Sequence, residues 1–370
     1  LPDASDLPAD IEIIKQRKKD GIEIPLQKNV QARATSNYLE HVRLVHNALP
    51  EIDYDDIDTS TTFLGHRFSA PIIIDSMTGG TPEATIINGR LGELAEKYGF
   101  GMGLGSQRAG LKSSDLAETY SIARKNAPHA FLIANIGGAQ LAKGLSIDDA
   151  RKIVQMVKAN AIAVHLNPLQ ELVQPEGEPR YRGVLKKIAE LAKEVQVPVI
   201  VKEVGSGISR EVAIRLEMAG VSAINVAGAG GTSWAAVEKL RAESARNGPK
   251  SHLGDMFWDW GIPTAQSLLE VARSVKIPII ASGGLRSGLE VAKCIVLGAS
   301  MAAMAYPFLR RASESRESLF AFADTILSEL KSSMFLTGSG SIAALRSSRY
   351  ILTGALAQEV ATNEGRQHSR

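Results

Sequence analysis

The sequence predicts a closed (β/α)8 barrel, a TIM barrel, with an N-terminal extension and a C-terminal helical tail. Eight short apolar runs recur along the chain, and most carry apolar residues on both faces, as strands covered by helices do. Helical periodicity fills most of the gaps between them. Eight runs, rather than five or six, favour closure over an open doubly wound sheet, the competing architecture. The 370 residues hold one such barrel, which usually takes about 250, plus insertions.

Residues 1–69 precede the first run and form the extension. An early helix there contains Ile14, Lys15, Arg17, Lys18 and Lys19, and the acidic stretch EIDYDDID at 51–58 reads as a solvated face. The barrel occupies 70–310. Its strands are read at 72–74, 101–104, 131–134, 161–165, 199–201, 223–226, 279–281 and 301–304. Apolar residues three and four apart mark helices at 115–125, 147–158, 181–195, 209–219, 264–275 and 288–297. The interval from Ala227 to Pro278 is long for one connection: glycine-rich, then helical from Trp234 to Ala245, then loop. Such a loop serves the active site or orders when ligand arrives. Residues 311–370 form the tail, which closes one end or meets another subunit, with a frayed end from Asn363.

Composition narrows the function. Apolar residues make up 44% and charged residues 22%, an ordinary globular mixture. Lys plus Arg number 42 against 40 Asp plus Glu, so there is no basic footprint for nucleic acid. The single cysteine, Cys294, excludes a disulfide framework and a Cys-based zinc or iron–sulfur site. The longest uncharged stretch, between Glu217 and Glu238, is broken by glycines and reads as strand plus loop, not a membrane span. With no basic-then-apolar leader visible, a reducing cytoplasm is the expected compartment. Many of the 33 glycines follow apolar runs, where a phosphate-binding α/β enzyme needs tight turns and close backbone approach.

In this fold function sits at the carboxyl ends of the strands. The residues there are polar: Ser76-Met77-Thr78 after the first strand, Ser106-Gln107-Arg108 after the second, and Asn135 at the third. His165, Asn167, Gln170 and Glu171 follow the fourth, Lys202 and Glu203 end the fifth, and Asn225 ends the sixth before a loop with Thr232. Ser282-Gly283-Gly284-Leu285-Arg286 follows the seventh, and Ala305-Tyr306 the eighth. The last two loops are the usual phosphate site, with glycine amides and the Arg286 fork; the alternative is a plain turn. A second anion finds candidates in Arg17, Lys18, Ser106, Gln107 and Arg108 if the N-terminal helix folds over the mouth; otherwise Arg17 and Lys18 are solvated and Arg108 is a structural ion pair. Glu171 is either a surface carboxylate or a Mg²⁺ ligand whose other oxygens come from a diphosphate and water. His165 is either a satisfied core residue or part of the site. Lys202 ends a buried apolar run, so it either meets a carboxylate or faces the electron-rich edge of a flavin. Met77, Trp234, Trp258 and Trp260 either wall an apolar pocket or pack.

Taken together, the motifs resemble the type 2, flavin-dependent isopentenyl-diphosphate isomerases. They run through most of the chain: RKKD at 17–20, MTGG at 77–80, GSQR at 105–108, HLNPLQE at 165–171, KEVGSGIS at 202–209, GAGGTSWA at 228–235, DWGIPTA at 259–265 and ASGGLRSG at 281–288. The resemblance implies FMN at the barrel mouth, held by Ser76, Met77 and Thr78, Ser106 and Asn135, Lys202, Ala227 and Thr232, Gly284, Leu285 and Arg286, and Ala305 and Tyr306. It places isopentenyl diphosphate against Arg17, Lys18, Ser106, Gln107, Arg108 and Gln170, and Mg²⁺ on Glu171. It implies a homotetramer or homo-octamer. Lys202, His165 and Gln170 are the residues expected to take part in catalysis. The chain departs from the family pattern at Gly21, where a His is usual, at Asn225, where Asp is common, and at Ala227, where Ser is common.

The implied substrate constrains the chemistry. Moving its terminal double bond inward needs a proton gained at one carbon and lost at another, without net redox change. Protonation first is expected, because it gives a tertiary, cation-like state, and reduced FMN is the expected acid. NADPH or another donor would reduce the flavin. Two rivals share the barrel: an FMN-dependent oxidoreductase of a small hydroxy acid, and a non-enzymatic flavin-binding protein. A cysteine-dependent dehydrogenase is disfavoured, because Cys294 falls in a helix.

Overall fold

The computed structural model describes residues 7–367, so the first six residues of the extension lie outside it. Eight parallel strands close into a barrel: β1 (Ile72–Ile74), β2 (Gly101–Gly103), β3 (Leu132–Gly137), β4 (Ala161–His165), β5 (Val199–Lys202), β6 (Ala223–Asn225), β7 (Ile279–Ala281) and β8 (Met301–Met304). Closure runs from β8 to β1, with Ala302 opposite Ile72 and Met304 opposite Ile74.

The apolar runs work because each strand has two buried faces. Ile73, Ile133, Ala163, Ile200, Ile280 and Ala303 fill the barrel interior. Their neighbours Ile72, Ile74, Leu132, Ala134, Val199 and Val201 pack outward under the helices. A one-residue slip would exchange the two sets, so the pleat fixes which residues face the axis.

The extension supplies a plug and a cover. Thr61–Phe63 and His66–Phe68 form an antiparallel hairpin whose two-residue turn, Leu64 and Gly65, has positive φ at both positions. Phe63 and Phe68 from this hairpin join Phe131, just before β3, in an aromatic cluster with ring centroids 5.4 to 6.3 Å apart. That cluster closes the amino end of the barrel, leaving the carboxyl end as the open mouth. The N-terminal helix, Leu7–Gln27, reaches that mouth. The acidic stretch at 51–58 is solvated as expected, except for buried Ile57.

The tail is tied to the extension: Tyr350–Leu352 pairs antiparallel with Val42–Leu44. The helix Arg316–Leu336 packs on the helix Gly288–Val296. Three sequence expectations need correction. The helix Pro82–Tyr98 follows β1 where no helix was read. The segment after Ala245 is not all loop but contains the helix Gly248–Met256, begun by an Asn247 cap. The end from Asn363 continues as helix to Gln367. No helix among the described residues is long and apolar enough to cross a membrane.

Candidate active site

One cavity of about 1430 Å³, counted to its open mouth, sits at the carboxyl end of the barrel. Every expected site residue borders it except Thr78 and Gln107. Thr78 is buried behind the wall, its hydroxyl bonded to Asn88. Gln107 is wholly buried as well. Its Oε1 accepts from the backbone N–H of Asn135 at 3.1 Å, and its Nε2 donates to the Ile153 carbonyl at 3.2 Å. Both polar ends are thus spent on holding β3 and a neighbouring helix, and none remains for a diphosphate. Trp234 borders the cavity, but Trp258 and Trp260 do not. Trp258 donates to the Gln31 carbonyl under the Arg33 guanidinium, and Trp260 is 63% exposed.

Two loops form the end of the cavity where the sequence leads one to expect a phosphate. The turn at 283–286 and the loop at 228–232 meet backbone to backbone. A Cβ on Gly231 would stand 2.6 Å from the Gly284 nitrogen, so only glycine permits this approach. Beside them Ala305 caps the helix Tyr306–Glu314, whose first N–H groups have no partner within the helix. Arg286 gives its backbone N–H to Glu290 at 2.7 Å, so the guanidinium is what it offers the cavity. Ala227, on the same wall, holds a φ of 37°, a strained conformation for a residue with a Cβ.

Lys202 stands at the centre, only 5% exposed. Its ammonium donates to the Glu203 carbonyl at 2.7 Å and lies 3.8 Å from Asp75 Oδ2. Asp75 in turn accepts from Asn225 Nδ2 at 3.2 Å, and Asn225 Oδ1 accepts from the Ser282 hydroxyl at 2.6 Å. Lys202 therefore meets one carboxylate and still borders the open space. Burial pushes Glu203 up to about 7, against the pull of three successive backbone donors, Val204, Gly205 and Ser206.

The cations expected near a second anion come together, because the N-terminal helix does fold over the mouth. The N-terminal helix lies over the mouth, and Lys18 donates to the Ser106 carbonyl at 2.8 Å. Arg17, Lys18, Ser106 and Arg108 border the same cavity as the glycine turn. Burial, Arg17 and Arg108 push Lys18 down to about 7. Burial and the same cations, with Lys202, push His165 down to about 3, so it is neutral at physiological pH. Its Nδ1 faces Asn135 Oδ1 at 2.8 Å, which makes Nδ1 the protonated nitrogen and Nε2 an acceptor.

Glu171 is 5% exposed and is no surface carboxylate. Its oxygens accept from Asn167 Nδ2 at 3.3 Å and the Glu178 N–H at 3.0 Å. Tyr181 fixes Asn167 by accepting its N–H at 2.9 Å and donating to Oδ1 at 2.8 Å. Gln170 donates to Glu238 Oε1 at 2.8 Å. Glu238, whose pKa burial raises, is held by Arg241 at 2.7 Å. Arg241 also grips Asp20 at 2.9 Å and Glu176 at 2.8 Å, and so ties the covering helix to the wall. Asp75, Glu238, Arg241 and Asp20 were not singled out in the sequence. Asp75 had a usable signal, since it directly follows the Ile72–Ile74 strand.

The comparisons with known proteins agree with this layout. A model of the FMN-dependent dehydrogenase family matches residues 148–352. An isopentenyl-diphosphate delta-isomerase of Nostoc sp. is 49% identical over 335 residues, covering 90% of this chain and 95% of that protein. Proteins of the same name from Methanoregula boonei and Methanosarcina mazei are 48% and 44% identical over 344 residues, covering 92% and 93% of the chain and 95% and 93% of theirs. The chain belongs to the isopentenyl-diphosphate delta-isomerase family.

Within that family, the match to an FMN-dependent model marks the flavin-dependent, type 2 branch. The isomerase family shares its fold with flavin oxidases. A lactate oxidase of Pediococcus acidilactici superposes with a TM-score of 0.66 at 16% identity, covering 93% of this chain and 94% of that one. A mandelate oxidase superposes with a TM-score of 0.59 at 18% identity, covering 93% and 98%. At such identities these likenesses establish the barrel alone.

Proposed function

We propose that the protein interconverts isopentenyl and dimethylallyl diphosphate, using reduced FMN in the same cavity and Mg²⁺ on the diphosphate. One observation carries this reading: the glycine turn with Arg286 and the cluster of Arg17, Lys18 and Arg108 open onto a single cavity. Two anions, a flavin phosphate and a substrate diphosphate, match those two cationic ends.

The residues present fit both groups. The bare backbone of Gly231 and Gly284, the N-terminus of the helix at Tyr306 and the Arg286 guanidinium suit a flavin phosphate. Ser76, Met77, Ser106, Asn135, Ala227, Thr232, Leu285 and Lys202 line the space between that end and the second cations. Among the described residues no cluster of three or more His, Cys, Asp or Glu could hold a metal by itself. A Mg²⁺ on Glu171 therefore needs oxygens from a diphosphate and water, which suits a hard cation that keeps few protein ligands.

When bound, reduced FMN supplies an exchangeable proton and an electron-rich ring. Lys202 supplies positive charge beside it. Arg17, Lys18 and Arg108 bind the diphosphate and thereby fix the position of the alkene, which is how much of the barrier is removed. His165, held neutral, orients through Nε2 without giving a proton. Gln170, anchored by Asn167 and Glu238, presents a fixed amide to the reacting carbons. The helix 7–27 excludes water. NADPH or another external donor would reduce the flavin. The apolar Leu49, Leu336 and Ile351 are exposed on the layer where extension and tail meet, and they suit contacts in the expected homotetramer or homo-octamer.

The hydroxy-acid oxidase reading draws on the dehydrogenase model and the oxidase-like fold. Its chemistry needs a base for the hydroxyl proton, and the one histidine at the cavity, driven to about 3, is a poor one. A non-enzymatic flavin carrier leaves the Arg17–Lys18–Arg108 cluster unexplained. The deciding experiment is anaerobic incubation of FMN-loaded protein with Mg²⁺ and isopentenyl diphosphate, with the flavin either reduced or oxidised. Dimethylallyl diphosphate from the reduced form alone supports the proposal. Equal rates from both forms, or no product, overturn it.

A further inference from the structure

We propose that Gly21 opens a specificity pocket, so that the enzyme also isomerises a homologous alkenyl diphosphate carrying an ethyl group in place of the branch methyl. The inference rests on the isomerase reading and extends its substrate class.

Gly21 lies inside the helix 7–27, with an ordinary helical backbone, and it borders the cavity. Glycine there weakens a helix relative to alanine, so a structural reason for it would be close packing. No such packing exists. A Cβ at position 21 would stand 3.7 Å from Trp234 Cη2 and 3.9 Å from Cζ3, ordinary contact distances, with nothing else within 4 Å. The glycine is not required by a neighbour; it leaves space.

The character of that space follows from its surroundings. Arg17 and Lys18, four and three residues earlier, share the same helical face. One turn, about 5.4 Å, separates the diphosphate anchors from Gly21. The side chain that faces Gly21 is the apolar indole of Trp234, which borders the same cavity. A ligand held by its diphosphate at Arg17 and Lys18 thus has, one turn along the helix, a gap faced by the Trp234 indole in which to place its hydrocarbon. A larger alkyl branch gains apolar contact there, where a side chain at position 21 would exclude it.

The reaction on the homologue balances as it does on the parent. A C–H bond forms at the terminal methylene carbon, a C–H bond breaks at the carbon between the branch point and the diphosphate-bearing carbon, and the double bond moves between them. No electron is gained or lost, and the diphosphate stays attached.

The test uses Gly21→Ala and Gly21→Leu beside the wild type, all FMN-loaded and reduced with Mg²⁺. Alanine fits without displacing Trp234, so its thermal stability should equal or exceed that of the wild type. Binding of both diphosphates is measured by calorimetry, and kcat/KM by product formation. One methylene in an apolar pocket is worth about 10- to 200-fold. Wild type should accept the ethyl homologue within about tenfold of the parent, and each variant should lower the homologue-to-parent ratio by about tenfold or more, in binding as well as turnover. A ratio unmoved in both variants, or a wild type that does not bind the homologue, overturns the inference. Should the wild type fail to turn over the parent, the isomerase reading falls, while the binding ratios still decide whether Gly21 sets the pocket.

Discussion

Substrate capture should weaken above pH 7, and Lys18 is the reason. Burial, reinforced by Arg17 and Arg108, lowers its pKa to about 7. Below that pH the free enzyme offers a cation, and above it a neutral amine. The protonated fraction is about one-half at pH 7 and about one-eleventh at pH 8, and it falls about tenfold more by pH 9. If only the ammonium captures the diphosphate, kcat/KM for isopentenyl diphosphate drops about tenfold between pH 8 and pH 9. The bound diphosphate restores the charge, so binding at pH 8 takes up close to one proton. Calorimetry in two buffers of different ionisation enthalpy reads that uptake. Lys18→Arg keeps its charge throughout and should flatten the basic limb, whereas Lys18→Met should bind weakly at every pH. A basic limb identical in the wild type and Lys18→Arg refutes the reasoning. The stability of the free enzyme carries a definite sign too. The unfolded chain keeps this proton up to its ordinary 10.5 and the folded chain releases it near 7. The unfolded state therefore binds more protons between those values, and stability rises with pH across that window.

Three further substitutions probe other parts of the site. Lys202→Met should make the bound flavin harder to reduce, by about 30–60 mV for a loss of about 1.4–3 kcal/mol, and slow turnover strongly; an unchanged potential removes the charge role of Lys202. Glu171→Gln should raise the Mg²⁺ concentration for half-maximal rate by at least about tenfold while FMN stays bound, and an unchanged metal requirement contradicts the assignment. Gln107→Leu should destabilise the fold by about 1–3 kcal/mol in denaturant titration, because it orphans the buried Asn135 N–H, and a neutral effect would mean the hydrogen bond carries no weight.

The barrel was legible because its strands are short and buried on both faces. The bounds of 72–74, 161–165, 279–281 and 301–304 agree with β1, β4, β7 and β8. Which residue of Ile72, Ile73 and Ile74 points inward was not legible, since all three are isoleucine. The helix Pro82–Tyr98 escaped because Gly89 and Gly92 break its apolar rhythm. Gly92 is there for packing: a Cβ on it would stand 2.7 Å from the Ala123 carbonyl of the neighbouring helix. Lys202, at the end of β5, and Glu171, in the segment after β4, could be placed at the mouth from position alone, and both border the cavity. Glu238 and Arg241 could not, because an acid and a base three apart on a helix look like a solvated pair. They are buried here only because Asp20 and Glu176, from distant segments, close over them. For Trp258, left between pocket wall and packing in the sequence, the structure gives packing: its indole N–H belongs to the Gln31 carbonyl on the extension.

Proton exchange by the reduced, anaerobic holoenzyme in deuterium oxide tests most directly whether one cavity joins flavin and alkene in a redox-neutral isomerisation. The account predicts many molecules of deuterium-bearing dimethylallyl diphosphate per enzyme, with the flavin spectrum reduced from first turnover to last. One flavin oxidised for each molecule of substrate consumed, or no deuterium entering the hydrocarbon, would contradict it.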